Sequence, residues 1–400
     1  MPEAKTHQHR AAPRFEELLA RAEALVPVLR ERAPRAEQLR RLPDETIADL
    51  HSSGLFRMLQ PARVGGSELP FRGLFELTAV IGQGCGSTAW VLANLAAHHW
   101  LLGMWHPEAQ EEIWGSSPDS LISSALIFPR GRARRVEGGY RLSGRWPFSS
   151  GVDYSTWNMF GAVVSDEETG QNEPRMFLVP ASDYTVIDTW QVIGLAGTGS
   201  KDVEVGDVFA PACRTLSTER IRGGPNRGSE LNPGTLYKLP AVSLFGFAIA
   251  GVSLGIARGA IQHFAETTRT RLSAYTGRNI ADFANIQEHL AKAAALADAA
   301  EAIVLRDCDE ATRITEAGVV PSLEQRARYR RDGAFSASLC TKAVDLLFAA
   351  SGGAAVYERN PIQRAFRDVH GANAHYMLNW DVSGAVYGRV ALGLPPDAPL

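Results

Sequence analysis

Apolar positions in the first part of the chain follow a helical period. Phe15, Leu18, Leu19, Ala22, Leu25 and Val26 recur at the spacing of one helix face. Pro43-Asp44-Glu45 opens a second helix through Ile47 and Leu50, which His51-Ser52-Ser53-Gly54 ends. Gly65-Gly66 marks a loop, Phe71 to Ile81 is helical again, and Ser87 to Trp100 is an apolar helix rich in Ala and Leu. Pro107 to Trp114 reads as a short helix with proline in its first turn.

Near Pro118 the period changes. Ser120–Phe128, Trp157–Val164, Arg175–Pro180, Tyr184–Trp190 and Lys201–Val205 are short runs of strand character, broken by Gly and Asp turns. Ala133–Val136 and Tyr140–Leu142 flank Glu137-Gly138-Gly139, a hairpin signal. Arg222 to Gly234 is a Gly/Pro/Asn-rich loop. Helical patterning then resumes over Ala241–Arg269, Ile280–Glu316, Ser322–Ser351 and Asn373–Gly388. The expected fold is mainly α with a central β-domain: a helical domain over 1–117, a β-barrel or sandwich over 118–235, and a helical bundle over 236–400.

Composition narrows the class. The chain is 45% hydrophobic and 21% charged with a net charge of −3, ordinary for a soluble protein and unsuited to a nucleic-acid partner. Arg130, Arg132, Arg134 and Arg135 read as the wet face of a strand. Leu239 to Ala257 carries no charge but contains Pro240, Gly246, Gly251 and Gly255, so it reads as a buried bundle helix and not a membrane span. Cys85, Cys213, Cys308 and Cys340 lie far apart with no CxxC pair, which argues against a disulfide framework or a zinc site and suits a reducing cytoplasm. The first residues have no apolar core and do not read as a secretory signal.

The stretch Gly144 to Asp153 carries the densest candidate chemistry. Trp146 and Phe148 offer flat apolar surface, Ser149 and Ser150 offer hydroxyls that donate and accept, and Gly144 and Gly151 permit sharp turns. That set suits a planar heterocycle with a polar edge, and it equally suits an aromatic strand end with a Ser-Ser turn. There is no phosphate-binding GxGxxG after a strand, so the chain is not expected to bind NAD(P)H itself.

Helical head, β middle and four-helix tail is the order of the acyl-CoA dehydrogenase fold. Gly194-Leu195-Ala196-Gly197-Thr198-Gly199-Ser200-Lys201-Asp202-Val203, Phe283-Ala284-Asn285-Ile286-Gln287, Gly352-Gly353, Pro361-Ile362-Gln363-Arg364 and Arg367-Asp368 resemble segments of that superfamily. Where the dehydrogenases place a glutamate after the Arg-Asp pair, this chain has His370 and His375 and no carboxylate until Asp381. Ser87-Thr88-Ala89-Trp90, His98 with Trp100, Ser123-Ser124 and Trp146-Pro147-Phe148-Ser149-Ser150-Gly151 resemble the oxygenase component of two-component flavin-dependent monooxygenases, the branch of the p-hydroxyphenylacetate and hydroxysteroid hydroxylases.

The resemblance implies a reduced flavin, FMNH2 or FADH2, supplied by a separate NAD(P)H-dependent reductase. It implies reaction with O2 through a flavin hydroperoxide that hydroxylates an aromatic, phenolic small molecule. It casts His375 as the base, His98 as the partner of the phenolic oxygen, and Ser124 and Ser149 as hydroxyl donors. Ser149 or Ser150 would bond flavin N5, Trp146 and Phe148 would line the ring, and Arg271 and Gln287 would reach a neighbouring subunit's flavin phosphate within a homotetramer. No metal is expected. The alternatives are oxygenation of an amine, amino sugar or sulfur by the same intermediate, an acyl-CoA dehydrogenase-like oxidoreductase, and a non-catalytic assembly protein of the same fold.

Overall fold

A computed structural model describes residues 12–165 and 172–400; the reading of the N-terminal residues as lacking a signal lies mostly outside them. The chain opens with α1 (Phe15–Leu39), α2 (Asp44–Ser53), α3 (Arg72–Gly82), α4 (Gly86–Leu102) and α5 (Pro107–Ser116). Strands β1 (Ile122–Ala125), β2 (Gly131–Val136), β3 (Gly139–Ser149), β4 (Trp157–Ser165), β5 (Asn172–Pro180), β6 (Thr185–Ile187), β7 (Lys201–Pro211) and β8 (Thr215–Ser217) follow. The tail is α6 (Ala241–Thr268), α7 (Ala284–Glu316), α8 (Leu323–Ser351), α9 (Pro361–Asn373) and α10 (Trp380–Ala391).

Every residue of α4 is buried, as expected for a helix apolar on all faces. It lies between the sheet and the bundle, against β1 and α6. Trp90, Asn94 and His98 recur every four residues, so one polar-tipped stripe runs along this buried helix. The helix α6 crosses α3 at Gly82 and Gly255, where a Cβ on either residue would run into the backbone of the other. Although α6 and α8 are long and apolar enough to cross a membrane, most of the apolar stretch of α6 is buried inside the protein.

The strands form a single sheet ordered β6-β7-β3-β2-β4-β5-β8, with β1 added in parallel to β4. Its own core gathers Leu142, Trp146, Phe160, Phe177 and Val203. On β2, Arg132, Arg134 and Arg135 are exposed. Within β3 the pairing with β7 shifts between Trp146 and Ser149, and Phe148 takes a φ of 69° at that irregularity. Phe148 is thereby pushed out to 60% exposure while Ser149 turns inward.

The expected helix over 373–388 is interrupted. The chain leaves α9 at Asn373, turns through His375, and starts α10 afresh where the Asn379 side chain caps the Val382 N–H. That break sets His375 on a turn between two helices. Three parts of the chain are knotted beside it. Glu37 of α1 pairs with Arg364 and Arg367 of α9. Arg367 also donates to the Ile193 carbonyl at 2.6 Å, and the Leu195 N–H donates to Asp368 Oδ1 at 2.6 Å.

Candidate active site

The residues singled out in the sequence fall into two groups. Trp90, His98, Ser124, Ser149, Ser150 and His375 gather where α4, β1, the end of β3 and the turn after α9 meet. Trp90 Nε1 donates to Ser150 Oγ at 3.0 Å, and the Trp90 indole lies edge-on to the His375 ring with centroids 5.7 Å apart. His98 reaches β1, its Nδ1 lying 2.6 Å from the Ile122 carbonyl, and its ring stacks on Phe245 of α6. Ser124 is half-buried two residues further along β1.

The other residues lie elsewhere. Trp146 does not line this junction: the pleat of β3 turns it into the sheet's own core, where it packs on Phe160 and donates to the Gly161 carbonyl at 2.8 Å. Phe148 stands on the open side against Trp190, ring centroids 6.2 Å apart. Arg271 donates to the Ser351 carbonyl and Gln287 to the Ala281 carbonyl. Both lie past the far end of α6, whose run from Phe245 to Thr268 spans about 35 Å. Within one subunit they cannot share a ligand atom with His98. His370 pairs with Asp345 at 2.9 Å, and His99 is fully buried, accepting from Trp114 Nε1.

Hydrogen bonding separates the two site histidines. A carbonyl only accepts, so His98 Nδ1 carries the proton and Nε2 is bare. That Nε2 is buried without a partner. Burial lowers the His98 pKa to about 4, against the opposing pull of the Ile122 carbonyl. In His375 the pattern is reversed: Nδ1 accepts from the Met377 N–H at 3.2 Å, which leaves the proton of the neutral ring on Nε2. His375 keeps part of its surface open, yet its ring is closely surrounded, and that burial with the Arg330 guanidinium lowers its pKa to about 4. Both imidazoles are neutral at pH 7, one a hydrogen-bond acceptor and the other a donor.

The two serines also differ. Ser149 Oγ accepts from Asn158 Nδ2 at 2.8 Å. Its own proton is not committed by that bond. Ser150 Oγ accepts from Trp90 and lies 2.7 Å from Ser200 Oγ. Asn158 escaped the sequence reading, though a lone amide inside the apolar run Trp157–Val164 is the signal that marks it. Tyr184 joins Asn158 and Ser123 in the same polar patch, and burial raises its phenol to about 12.

The chain is 35% identical over 388 residues to the oxygenase component of the FADH(2)-dependent resorcinol hydroxylase of Rhizobium sp. strain MTP-10005, covering 95% of each. It belongs to the family of flavin-dependent monooxygenase oxygenase components. Other members share its fold. The crystal structure of the HsaA monooxygenase from M. tuberculosis superposes with a TM-score of 0.91 at 35% identity, covering 96% of this chain and 99% of that one. XiaF from Streptomyces sp., solved in complex with FADH2 and glycerol, superposes with a TM-score of 0.89 at 32% identity, covering 96% and 97%. Residues 247–380 match the model for the acyl-CoA dehydrogenase C-terminal domain. The oxygenase component of a two-component system works with a separate reductase, so the electrons reach this family member on a flavin reduced elsewhere.

The residues present suit that flavin. Phe148 is held exposed by a left-handed backbone that costs on the order of 1–3 kcal/mol, an expense found where a side chain must face a ligand. Ser149 offers an uncommitted hydroxyl at the end of β3, which packs against β1 with its Ser124, and His375 offers an N–H.

Proposed function

We propose that this protein hydroxylates a phenolic small molecule, using FADH2 from a partner reductase and O2. Reduced flavin supplies the two electrons that split dioxygen, one atom entering the substrate and the other leaving as water. One observation carries the substrate class: the buried, unpartnered Nε2 of His98. An orphaned acceptor of this kind costs about 1–3 kcal/mol, which a phenol O–H donated to it offsets. As the ring carbon is oxygenated, the phenol proton passes to Nε2. The Ile122 carbonyl on Nδ1 stabilises the imidazolium that results.

This reading moves the base from His375, the sequence-based choice, to His98. His375 keeps the role of donor, holding its proton at Nε2 beside Trp90 for the oxygen that leaves as water. Ser149 is the serine with a hydroxyl to offer the flavin, whereas Ser150 is engaged by Trp90 and Ser200. Arg271 and Gln287, remote from the site in their own subunit, keep in this reading the role of reaching a neighbour's flavin. The reading extends to a cytoplasmic homotetramer, supported by unpaired cysteines and by exposed Leu323, Leu392 and Leu394.

The test is turnover of resorcinol and p-hydroxyphenylacetate under 18O2 with FADH2 supplied by a reductase. One labelled oxygen atom in the product is expected. A product dehydrogenated without label, or no uptake of reduced flavin, would refute the assignment.

A further inference from the structure

The loop between β6 and β7 reaches the site from behind through a line of hydroxyls. Trp90 Nε1 lies 3.0 Å from Ser150 Oγ, Ser150 Oγ 2.7 Å from Ser200 Oγ, and Ser200 Oγ 2.7 Å from Thr198 Oγ1. Thr198 Oγ1 in turn donates to the Leu195 carbonyl at 2.9 Å. Each hydroxyl owns a single proton. The carbonyl at the end only accepts, so Thr198 gives its proton to Leu195. Ser200 must then give to Thr198, and Ser150 must give to Ser200. The line has one direction, from the indole inward.

Its far end is firmly held. Leu195 has a φ of 53°, a left-handed backbone that a leucine seldom adopts. Its carbonyl also accepts from the Thr198 N–H at 3.1 Å and from Trp190 Nε1 at 3.3 Å. Its N–H is bound by the buried Asp368 of α9. Trp90, Ser150, Thr198 and Ser200 are themselves buried, so no solvent is at hand to replace a lost partner.

We propose that Ser200 and Thr198 are positioning residues for the oxygenation: they aim the Ser150 hydroxyl into the protein, anchor the Trp90 indole through it, and so hold Trp90 against His375. The proposal rests on the oxygenase reading of the site. Neither residue touches a ligand on this account. Both act through Ser150 and Trp90.

The variants are Ser200→Ala and Thr198→Val, which break the line, and Ser200→Thr and Thr198→Ser, which keep a hydroxyl in place. Two readouts are needed. The first is hydroxylated product per FADH2 oxidised, with resorcinol and p-hydroxyphenylacetate as probes and FADH2 affinity as the control. Breaking variants should lose coupling roughly threefold to tenfold, the worth of one hydrogen bond, with affinity held and hydrogen peroxide released instead. Conservative variants should restore it. The second is 19F NMR of protein labelled with 5-fluorotryptophan, the Trp90 resonance being assigned by Trp90→Phe. That resonance should move in the breaking variants and stay in the conservative ones. Thr198→Val keeps the side-chain shape, so it serves if Ser200→Ala fails to fold. A Trp90 resonance unmoved by the breaking variants, or coupling that matches wild type in them, would overturn the relay alone. A wild-type protein that never oxygenates either phenol counts against the oxygenase reading, and the 19F spectra still decide the relay.

Discussion

The Trp90 indole meets the His375 imidazole edge-on, ring centroids 5.7 Å apart and planes inclined at 65°. The contact joins a helix near the start of the chain to a turn near its end. The Met377 N–H holds the imidazole through Nδ1. His375 therefore has one nitrogen to offer, and it carries a proton. His375→Ala should keep FADH2 uptake but release hydrogen peroxide in place of product. His375→Gln retains an N–H donor and should recover part of the coupling. Product and peroxide, each measured per flavin oxidised, check this; equal losses in both variants would remove the donor role.

His98 should show the larger effect on the chemical step. Loss of a positioned base costs roughly 100- to 10,000-fold, and His98→Ala also strips the Ile122 carbonyl of its partner. With its pKa near 4 the wild-type imidazole is neutral from about pH 5 upward. The acid limb of kcat/KM should accordingly fall near pH 4–5, below the 6.5 of an ordinary histidine. Single-turnover hydroxylation followed across pH tests both statements. A limb centred at 6.5, or an unchanged rate in His98→Ala, would contradict them.

The same burial makes stability depend on pH. His98 titrates at about 4 in the fold and near 6.5 when unfolded, so below pH 6.5 the unfolded chain takes up a proton that the folded chain refuses. Its contribution is whole above 6.5 and is lost as pH falls toward 4, at up to about 1.4 kcal/mol per pH unit. His99, lowered to about 3 by burial, acts in the same sense. Asp368, raised by burial to about 6, and Asp307, raised by burial and by the Asp332 carboxyl beside it, act in the opposite sense as pH rises through the acid range. The informative quantity is thus the difference between wild type and His98→Gln. Denaturant unfolding at pH 7 and pH 5 should show wild type losing more stability on acidification than the variant.

Ser149 and Asn158 should act as a pair. Ser149→Ala removes an uncommitted hydroxyl, leaves Asn158 Nδ2 without its acceptor and should raise peroxide release at little cost in FADH2 affinity. Asn158→Leu should mimic it in direction, because the Ser149 rotor is then no longer fixed. Peroxide yield in the absence of substrate measures both. If Asn158→Leu behaved as wild type, the amide would have no part in orienting the serine.

Much of this arrangement is legible in the sequence because it is written in periods and spacings. The helical stripe Trp90, Asn94, His98 and the switch from helical to strand patterning near Pro118 are local signals. The contrast between the histidines is not local. It depends on which carbonyl or N–H each ring nitrogen meets, and Ile122 lies 24 residues from His98. Trp146 misleads for a similar reason: regular alternation would put Trp146 and Phe148, two residues apart, on one face, and the irregularity between Trp146 and Ser149 puts them on different sides. Thr198 and Ser200 sit in a segment that resembles the superfamily, and Asn158 is a lone amide in an apolar run, but what each does shows only in the groups it contacts: Leu195 and Ser150 for the first two, Ser149 for the third.

The last prediction concerns the knot that joins the β6–β7 loop to α9. Gly194 packs so closely that an added Cβ would fall within the Arg367 carbonyl, a backbone atom that cannot swing aside. Its φ is not in the left-handed region, so the demand is for space and not for an unusual dihedral. Gly194→Ala must therefore push the loop off α9, stretching the Leu195 N–H from Asp368 and the Ile193 carbonyl from Arg367. Overpacking of this kind costs typically about 1–3 kcal/mol. Since Leu195 also ends the hydroxyl line from Trp90, the variant should lower the unfolding midpoint and loosen coupling together. Leu195→Gly is the control for the coupling ratio: it relieves the left-handed backbone and keeps both the N–H and the carbonyl, while the loss of its buried side chain lowers the midpoint on its own account. Thermal unfolding with product-to-peroxide ratios on the two variants decides the point. A Gly194→Ala protein with wild-type values of both would mean that the loop does not bear on α9 as closely as described.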